Sequence, residues 1–159
     1  MGTTAWHEHV TNGDPLGDFF EGAPPPLARV RVRSVHPDGW GQAVVLRIDL
    51  PRERAGDTVQ CHLNFLAVRD FRLDRWEPPA TADITLSPVD GTGAEQRLAV
   101  DVRGERIALA FDAYRGLQVT RVSRYRGTES GPREWAGPVE RRLYPVLPPT
   151  TARTFYEHP

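Results

Sequence analysis

An alternation of apolar and polar side chains with a period of two residues runs from Leu27 to Tyr125. Successive side chains of a β-strand point to opposite faces, so this period places one apolar row against a core and one polar row outside it. Parallel strands are usually apolar on both faces, so the half-apolar rhythm favours antiparallel pairing. The clearest runs cover residues 28–32, 44–50, 59–65, 71–73, 84–86, 98–102, 107–111 and 117–122.

Turn residues separate these runs and set the expected fold class. Pro37-Asp38-Gly39 follows the first run, and Gly104-Glu105 is placed for a tight hairpin. Short alternating strands at this spacing predict a mainly β protein, an antiparallel meander of about seven or eight strands. The pattern is compatible with a curled sheet, a sandwich or a partly open barrel. A slip of phase between Val119 and Val122 predicts a β-bulge in the last strand.

The two ends of the chain depart from this rhythm. Asp14 and Pro15 suit the N-cap and first position of a helix, and apolar residues follow at helical spacing, which predicts one short helix near residues 14–21. Residues 127–159 contain many Pro and Gly, and residues 141–149 are too proline-rich for a helix or a central strand. We therefore expect one domain over residues 1–126 and an extended tail over residues 127–159. The apolar anchors that would dock this tail on the body are Trp135, Leu143, Tyr144 and Phe155.

Residues that carry catalytic or metal chemistry form no recognisable motif. The single cysteine, Cys61, lies in an alternating strand and is expected to be a small buried hydrophobe. His7 and His9 lack the further ligands and supporting shell that a metal site needs. There is no nucleophile elbow and no glycine-rich phosphate loop ahead of a helix. We therefore expect no enzyme activity, no cofactor and no metal.

Length and composition restrict the expected location of the protein. The 159 residues contain no run close to the roughly 20 apolar residues of a membrane span. The N-terminal residues show neither a basic nor an apolar signal region, and one cysteine cannot form an internal disulfide. These features predict a cytoplasmic protein without membrane contact.

Arginine dominates the polar rows of the predicted strands. All 20 basic residues are arginine, and the formal net charge of the chain is −1. An open arginine-rich face would attract an acidic partner or a nucleic-acid backbone, but the face lacks the interleaved aromatics that stack bases, so nucleic acid is disfavoured. Cross-strand Arg–Asp pairing on a solvated sheet is the plainer interpretation. The residues placed outward by alternation are Arg29, Arg31, Arg33, Arg47, Arg72, Arg97 and Arg103, interspersed with Asp49, Asp83 and Asp101.

The order of these motifs resembles the immunity protein 50 family of bacterial polymorphic toxin systems, found mostly in actinobacteria. The resemblance covers about residues 6–125. It begins with Leu16, Phe19 and Phe20, and Pro25-Pro26-Leu27 then leads into an arginine-rich strand. The most specific stretches are Val44-Val45-Leu46-Arg47-Ile48-Asp49-Leu50-Pro51, Thr58-Val59-Gln60-Cys61-His62-Leu63-Asn64-Phe65 and Val68-Arg69-Asp70-Phe71-Arg72-Leu73 with Trp76. Residues 52–57 depart from the family pattern, because they lack a tryptophan before the third strand.

The resemblance implies an antidote that binds a cognate toxin domain and neutralises it by stoichiometric occlusion, without catalytic residues. A small-ligand-binding protein with a pocket inside a curled sheet is the alternative, and an enzyme without a recognisable motif is the third hypothesis. Aromatic and arginine side chains are enriched at interface hot spots. The predicted partner-binding residues are Trp40, Trp76, Arg72, Arg75 and His62. His62 is expected to be exposed on a strand. Core packing is the alternative role for both tryptophans, and it is favoured more for Trp76 than for Trp40.

Overall fold

Nine β-strands make up most of the described chain, and all but the last lie in the alternating region of the sequence. The computed structural model describes residues 5–39, 42–51, 57–89, 96–126, 133–136 and 138–143. Trp6–His9 forms a 3₁₀ helix and Pro138–Leu143 forms α1. The strands are β1 (Val30–Asp38), β2 (Ala43–Pro51), β3 (Asp57–Phe65), β4 (Arg69–Trp76), β5 (Ala80–Val89), β6 (Arg97–Arg103), β7 (Ile107–Tyr114), β8 (Leu117–Arg126) and β9 (Arg133–Trp135).

The strands form a single antiparallel sheet in the order β4-β7-β6-β5-β1-β2-β3-β8-β9. The mainly β, antiparallel prediction is confirmed. The sheet is neither closed nor strongly curled, so the predicted barrel and curled sheet are wrong. A simple meander is also wrong, because β4 follows β3 in the chain but pairs with β7 at the far edge of the sheet.

Two short connections bring together strands that are distant in this order. Residues 66–68 link β3 to β4, and Arg115 and Gly116 link β7 to β8, although each pair is six positions apart. Strands six positions apart in a flat sheet are separated by about 29 Å, whereas a three-residue link spans only about 15 Å. The linked strands must therefore lie closer together than their positions in a flat sheet would place them. In agreement with this, the ring centroids of Phe65 on β3 and Phe111 on β7 are 5.2 Å apart. The apolar rows of the sheet contribute to one continuous core.

Two local features agree with the turn and phase signals of the sequence. β6 and β7 form a tight hairpin in which the N–H of Gly104 donates to the carbonyl of Ile107 at 3.0 Å. A register shift where β3 pairs with β8, together with a positive φ of 52° at Arg121, marks the predicted bulge. Cys61 is buried, as expected.

The helix predicted near residues 14–21 is wrong. The chain makes a turn there, in which the Leu16 carbonyl accepts hydrogen bonds from Phe19 and Phe20, each at 3.1 Å. So short a segment forms too few hydrogen bonds to offset helix nucleation. Leu16 and Phe19 are nevertheless buried in the core, so their apolar spacing reports packing rather than helix.

The described part of the predicted extended tail consists of an edge strand and a short helix, so the expectation that residues 141–149 form no helix is wrong at residues 141–143. β9 pairs with β8, and α1 begins at Pro138, a position that proline tolerates well at a helix start. The prediction failed because residues 141–143 contain no proline, and the prolines that suggested it come later. Trp135 is buried and Leu143 is exposed, while Tyr144 and Phe155 lie outside the described residues.

Candidate partner-binding surface

The predicted partner-binding residues separate into three environments. Arg72 and Arg75 are exposed on β4, an edge strand, and Trp76 at its end is half-buried against the core. His62 lies on β3 and is only 2 % exposed, so the expectation of an exposed strand histidine is wrong. Trp40 lies outside the described residues.

Arg72 and Arg75 belong to a larger surface, the outer face of β4, β7, β6 and β5. Residues in register on neighbouring antiparallel strands share a face of the sheet, so cross-strand rows define its members. The three rows are Arg75–Ala108–Arg103–Asp83, Arg72–Ala110–Asp101–Thr85 and Arg69–Asp112–Ala99–Ser87.

Small side chains form the middle of this outer face. Ala108 is buried, and Ala99 and Ala110 are half-buried, although all three stand on the side away from the core. The arginines at positions 69, 72 and 75 rise along one border and are exposed. The result is a shallow apolar floor beside a row of long cationic side chains, a pairing that suits a protein interface.

Charges on the outer face are mixed, and several acids are already engaged. Asp101 pairs with Arg103 at 2.8 Å, and Asp112 accepts a 2.6 Å hydrogen bond from Arg97. Asp70 and Asp74 occupy irregular positions of β4, next to its register shifts. Within the described part of the chain, by contrast, the guanidinium groups of residues 69, 72 and 75 make no hydrogen bond or ion pair.

An arginine-lined groove of about 490 Å³ lies at the end of the outer face where β1 meets β5. We call it the arginine groove. The Arg29 N–H donates to the carboxylate of Asp83 at 2.8 Å, which ties β1 to β5 at this point. Gly104 approaches β5 so closely that a Cβ there would overlap the Thr81 carbonyl oxygen. Its charged lining residues are Arg29, Arg31, Arg103, Arg106, Asp83 and Glu105.

Two of the arginines predicted to point outward, one on β1 and one on β2, are buried. Arg33 and Arg47 are 8 % and 2 % exposed, and Asp49 is 5 % exposed, so their predicted outward, solvated placement is wrong. β2 is a central strand and is covered on both faces, which the alternation of its side chains cannot reveal. Arg29, Arg31, Arg72 and Arg103 are exposed as expected, and Arg97 is half-buried.

Asp49 is the centre of a buried polar network. Nε and Nη2 of Arg33 lie 2.8 and 2.7 Å from its Oδ2 atom, and Gln60 donates to Oδ1 at 2.8 Å. The Tyr125 hydroxyl donates to Oδ2 at 3.1 Å. Burial, and then the charge of Asp49, raise the pKa of Tyr125. A carboxylate held by three side chains is a rigid structural element of this part of the sheet.

His62 lies beside this network, in register with Arg47. Burial, followed by the charges of Arg47 and Arg121, lowers the pKa of His62 to about 3. A perturbed histidine is a reason to consider acid–base chemistry. This imidazole is almost fully buried, so a substrate could reach it only after the surrounding chain opened.

The remaining nucleophilic and ligating groups are dispersed. Burial, and then the charge of Asp49, raise the pKa of the Cys61 thiol, which disfavours the reactive thiolate. His9 is buried and His7 half-buried on the 3₁₀ helix. In the described ranges, no group of three or more His, Cys, Asp or Glu side chains could hold a metal ion. No helix described here is both long and apolar enough to cross a membrane.

Sequence reasoning missed two contributors to the exposed surface. Arg69 and Arg106 were not among the outward arginines, because Arg69 opens β4 and Arg106 lies in the hairpin loop after Gly104. The loop position of Arg106 was the available signal, since loops present functional groups at a surface. The alanines of β7 gave no signal, because apolar residues on both faces read as core.

Comparison of the chain with protein-family models, with curated proteins and with solved structures found no match. The resemblance to the immunity protein 50 family therefore remains a prediction that depends on the motifs of the sequence.

Proposed function

We propose that this protein is an immunity protein that binds a cognate toxin domain in the cytoplasm and neutralises it by stoichiometric occlusion. The observation that carries the proposal is the outer face, where exposed arginines border a floor of small side chains. Within it, Arg72 and Arg75 are the residues that the sequence also indicates.

The sheet can be divided into two halves, β4-β7-β6-β5 and β1-β2-β3-β8-β9, and their arrangement supports a binding role for the outer face. In our proposal they stack in the manner of a sandwich, as the short β3–β4 and β7–β8 connections and the 5.2 Å contact of Phe65 with Phe111 suggest. Stacking would bury the apolar side chains of β4, β5, β6 and β7 in the core. The side chains on their opposite face would remain available to a partner. A rim of arginines beside a flat floor suits electrostatic steering of a protein partner and its register on the surface.

The edge position of β4 limits how a partner would approach. β4 carries irregular pairing and alternating charges, features that protect an edge strand against pairing with another chain. We therefore expect the toxin to cover the face through side-chain contacts rather than to add a tenth strand.

A search of the genomic neighbourhood for a toxin module, followed by co-expression of that module with this protein, tests the proposal. We expect restored growth of the host, a one-to-one complex on size-exclusion chromatography, and loss of toxin activity at equimolar ratio. The double variant Arg72→Glu/Arg75→Glu should bind the module at least about tenfold more weakly, since reversal places like charges in the interface.

Arg142→Glu is the matched control, because Arg142 is exposed on α1 and distant in sequence from the outer face. It should leave both affinity and neutralisation unchanged. Absence of a complex with the neighbouring module would contradict the proposal. Unchanged affinity of the double variant would remove the outer face as the binding surface.

A further inference from the structure

We propose that the arginine groove anchors an acidic segment of the protein partner, with its Asp or Glu carboxylates contacting Arg29 and Arg106. The inference rests on the proposed function in that it names the chemistry of the partner surface. It concerns a site next to, but separate from, Arg72 and Arg75.

The charge balance of the groove favours an anion. Four arginines line it, at positions 29, 31, 103 and 106, against the two acids Asp83 and Glu105. The carboxylate of Asp83 already accepts the N–H of Arg29, and Arg103 is paired with Asp101. Among the described residues, the guanidinium groups of Arg29 and Arg106 make no hydrogen bond or ion pair. These two side chains keep their donors available to a carboxylate, which matches the planar fork of arginine.

Contacts with neighbouring strands fix the backbone of the groove at Arg29 and Arg106. Arg29 adopts a positive φ of 55° and is tied to β5 through the carboxylate of Asp83. The Arg106 carbonyl accepts the N–H of Glu77 at 2.8 Å, which fastens the hairpin loop to the end of β4. The close passage of Gly104 over Thr81 brings the loop toward the β1–β5 junction. Because the backbone is fixed at both arginines before binding, only their side chains have to become ordered when the ligand arrives.

The shape and lining of the groove favour a protein segment over a nucleic acid. Its volume of about 490 Å³ suits a few side chains, and no aromatic residue lines it. Single-stranded nucleic acid is usually held by a basic track together with aromatic side chains on which the bases stack, and this lining has the basic residues but not the aromatic ones. Carboxylates on a loop or strand of a protein partner can be bound by a local cluster of arginines, without aromatic residues.

Binding of a fluorescein-labelled octaglutamate peptide to the full-length protein, followed by fluorescence anisotropy at low salt, tests the groove. We expect saturable binding that weakens as salt is raised. The double variant Arg29→Glu/Arg106→Glu should bind the peptide at least about tenfold more weakly, whereas Arg29→Lys/Arg106→Lys should retain most of the binding. Arg142→Glu should bind as the wild type does. Circular dichroism checks that each variant is folded.

Three outcomes would overturn the inference. The first is equal binding of the peptide by the wild type and the Arg29→Glu/Arg106→Glu variant. The second is tighter binding of a labelled single-stranded DNA of equal charge that depends on the same two arginines, which would assign the groove to nucleic acid. The third is a toxin complex whose affinity is unchanged in that variant.

The same variants separate this inference from the proposed function. A toxin complex that is sensitive to Arg72→Glu/Arg75→Glu but not to Arg29→Glu/Arg106→Glu supports the immunity function and overturns the groove as an anchor. Loss of peptide binding in the groove variant, without neutralisation of the neighbouring module, supports the acidic anchor and overturns the toxin as its partner.

Discussion

Asp49 is a buried carboxylate that accepts hydrogen bonds from side chains of three other strands, among which Arg33 is its counter-ion. Removing it by Asp49→Ala leaves the Arg33 guanidinium buried without its counter-ion, which typically costs about 3–5 kcal/mol of unfolding free energy. Asp101→Ala is the control, since its pair with Arg103 is exposed and should cost about 1 kcal/mol or less. Urea titration followed by circular dichroism measures both. Equal losses in the two variants would show that the Asp49 network contributes no more than a surface pair.

His62 makes the stability of the fold depend on pH. In the unfolded chain its imidazole takes up a proton below its ordinary pKa of 6.5, whereas the folded protein binds that proton only near pH 3. Between these values the unfolded state holds the extra proton, so the unfolding free energy decreases as pH falls and this contribution is absent above pH 6.5. The slope amounts to about 1 kcal/mol per pH unit.

The variant His62→Gln should remove this slope, because an amide does not titrate. We expect urea titrations between pH 6 and pH 4 to show a shallower loss of stability in the variant than in the wild type. Gln118→Ala, a change of a non-titrating side chain at an exposed position of β8, should keep the wild-type slope. An unchanged slope in His62→Gln would mean that the imidazole is protonated in the folded protein at these pH values.

At the scale of elements, β9 is held to the body by one large side chain and its neighbours. Trp135 is 3 % exposed, and its carbonyl accepts hydrogen bonds from Arg141 Nε and Nη2 at 3.2 and 3.0 Å. Arg124 on β8 forms an ion pair with Glu134. A three-residue strand offers few backbone hydrogen bonds of its own, so the buried indole supplies much of the attachment.

Trp135→Ala is expected to destabilise the protein by about 3 kcal/mol or more, because it removes a buried aromatic side chain. Leu143→Ala should change stability by less than about 0.5 kcal/mol, since Leu143 is 59 % exposed. Thermal and urea unfolding compare the two variants. A neutral Trp135→Ala variant would indicate that β9 contributes nothing to the folded core.

At the scale of the whole molecule, Phe111 joins the two halves of the sheet. The centroid of its ring lies 5.2 Å from that of Phe65 and 6.2 Å from that of Phe71, so it packs against β3 as well as β4. Because the buried residues form one core, both halves should unfold in a single cooperative transition.

Phe111→Ala should lower the unfolding free energy by about 3–5 kcal/mol and should weaken both halves together. Hydrogen exchange measured on amides of β2 and of β6 checks this expectation, since the protection of both strands should fall by a similar factor. Tyr114→Ala is the control, because Tyr114 is 51 % exposed on the same strand. Loss of protection confined to β6 and β7 would show that the halves are separate folding units.

Local sequence patterns were sufficient for β1 to β8, the hairpin at Gly104, the bulge in β8 and the buried Cys61, but not for β9. Each of these depends on side chains within a few residues of one another, and backbone geometry relates such neighbours directly. The candidate surface was predicted in part. Arg72 and Arg75 are exposed, but the alanine floor beside them comes from β7, which only the strand order places next to β4.

Arg47 and Arg72 show where local pattern ends and tertiary structure decides. Both alternate with apolar neighbours, yet Arg47 is 2 % exposed on the central strand β2 and Arg72 is exposed on the edge strand β4. The sequence by itself determined the β-class and which side chains of a strand point away from the core, because the two-residue period is a property of one strand. The order of the strands, and what covers the second face of each, arose from pairings between distant segments. Only the folded chain could therefore decide which arginines remain exposed.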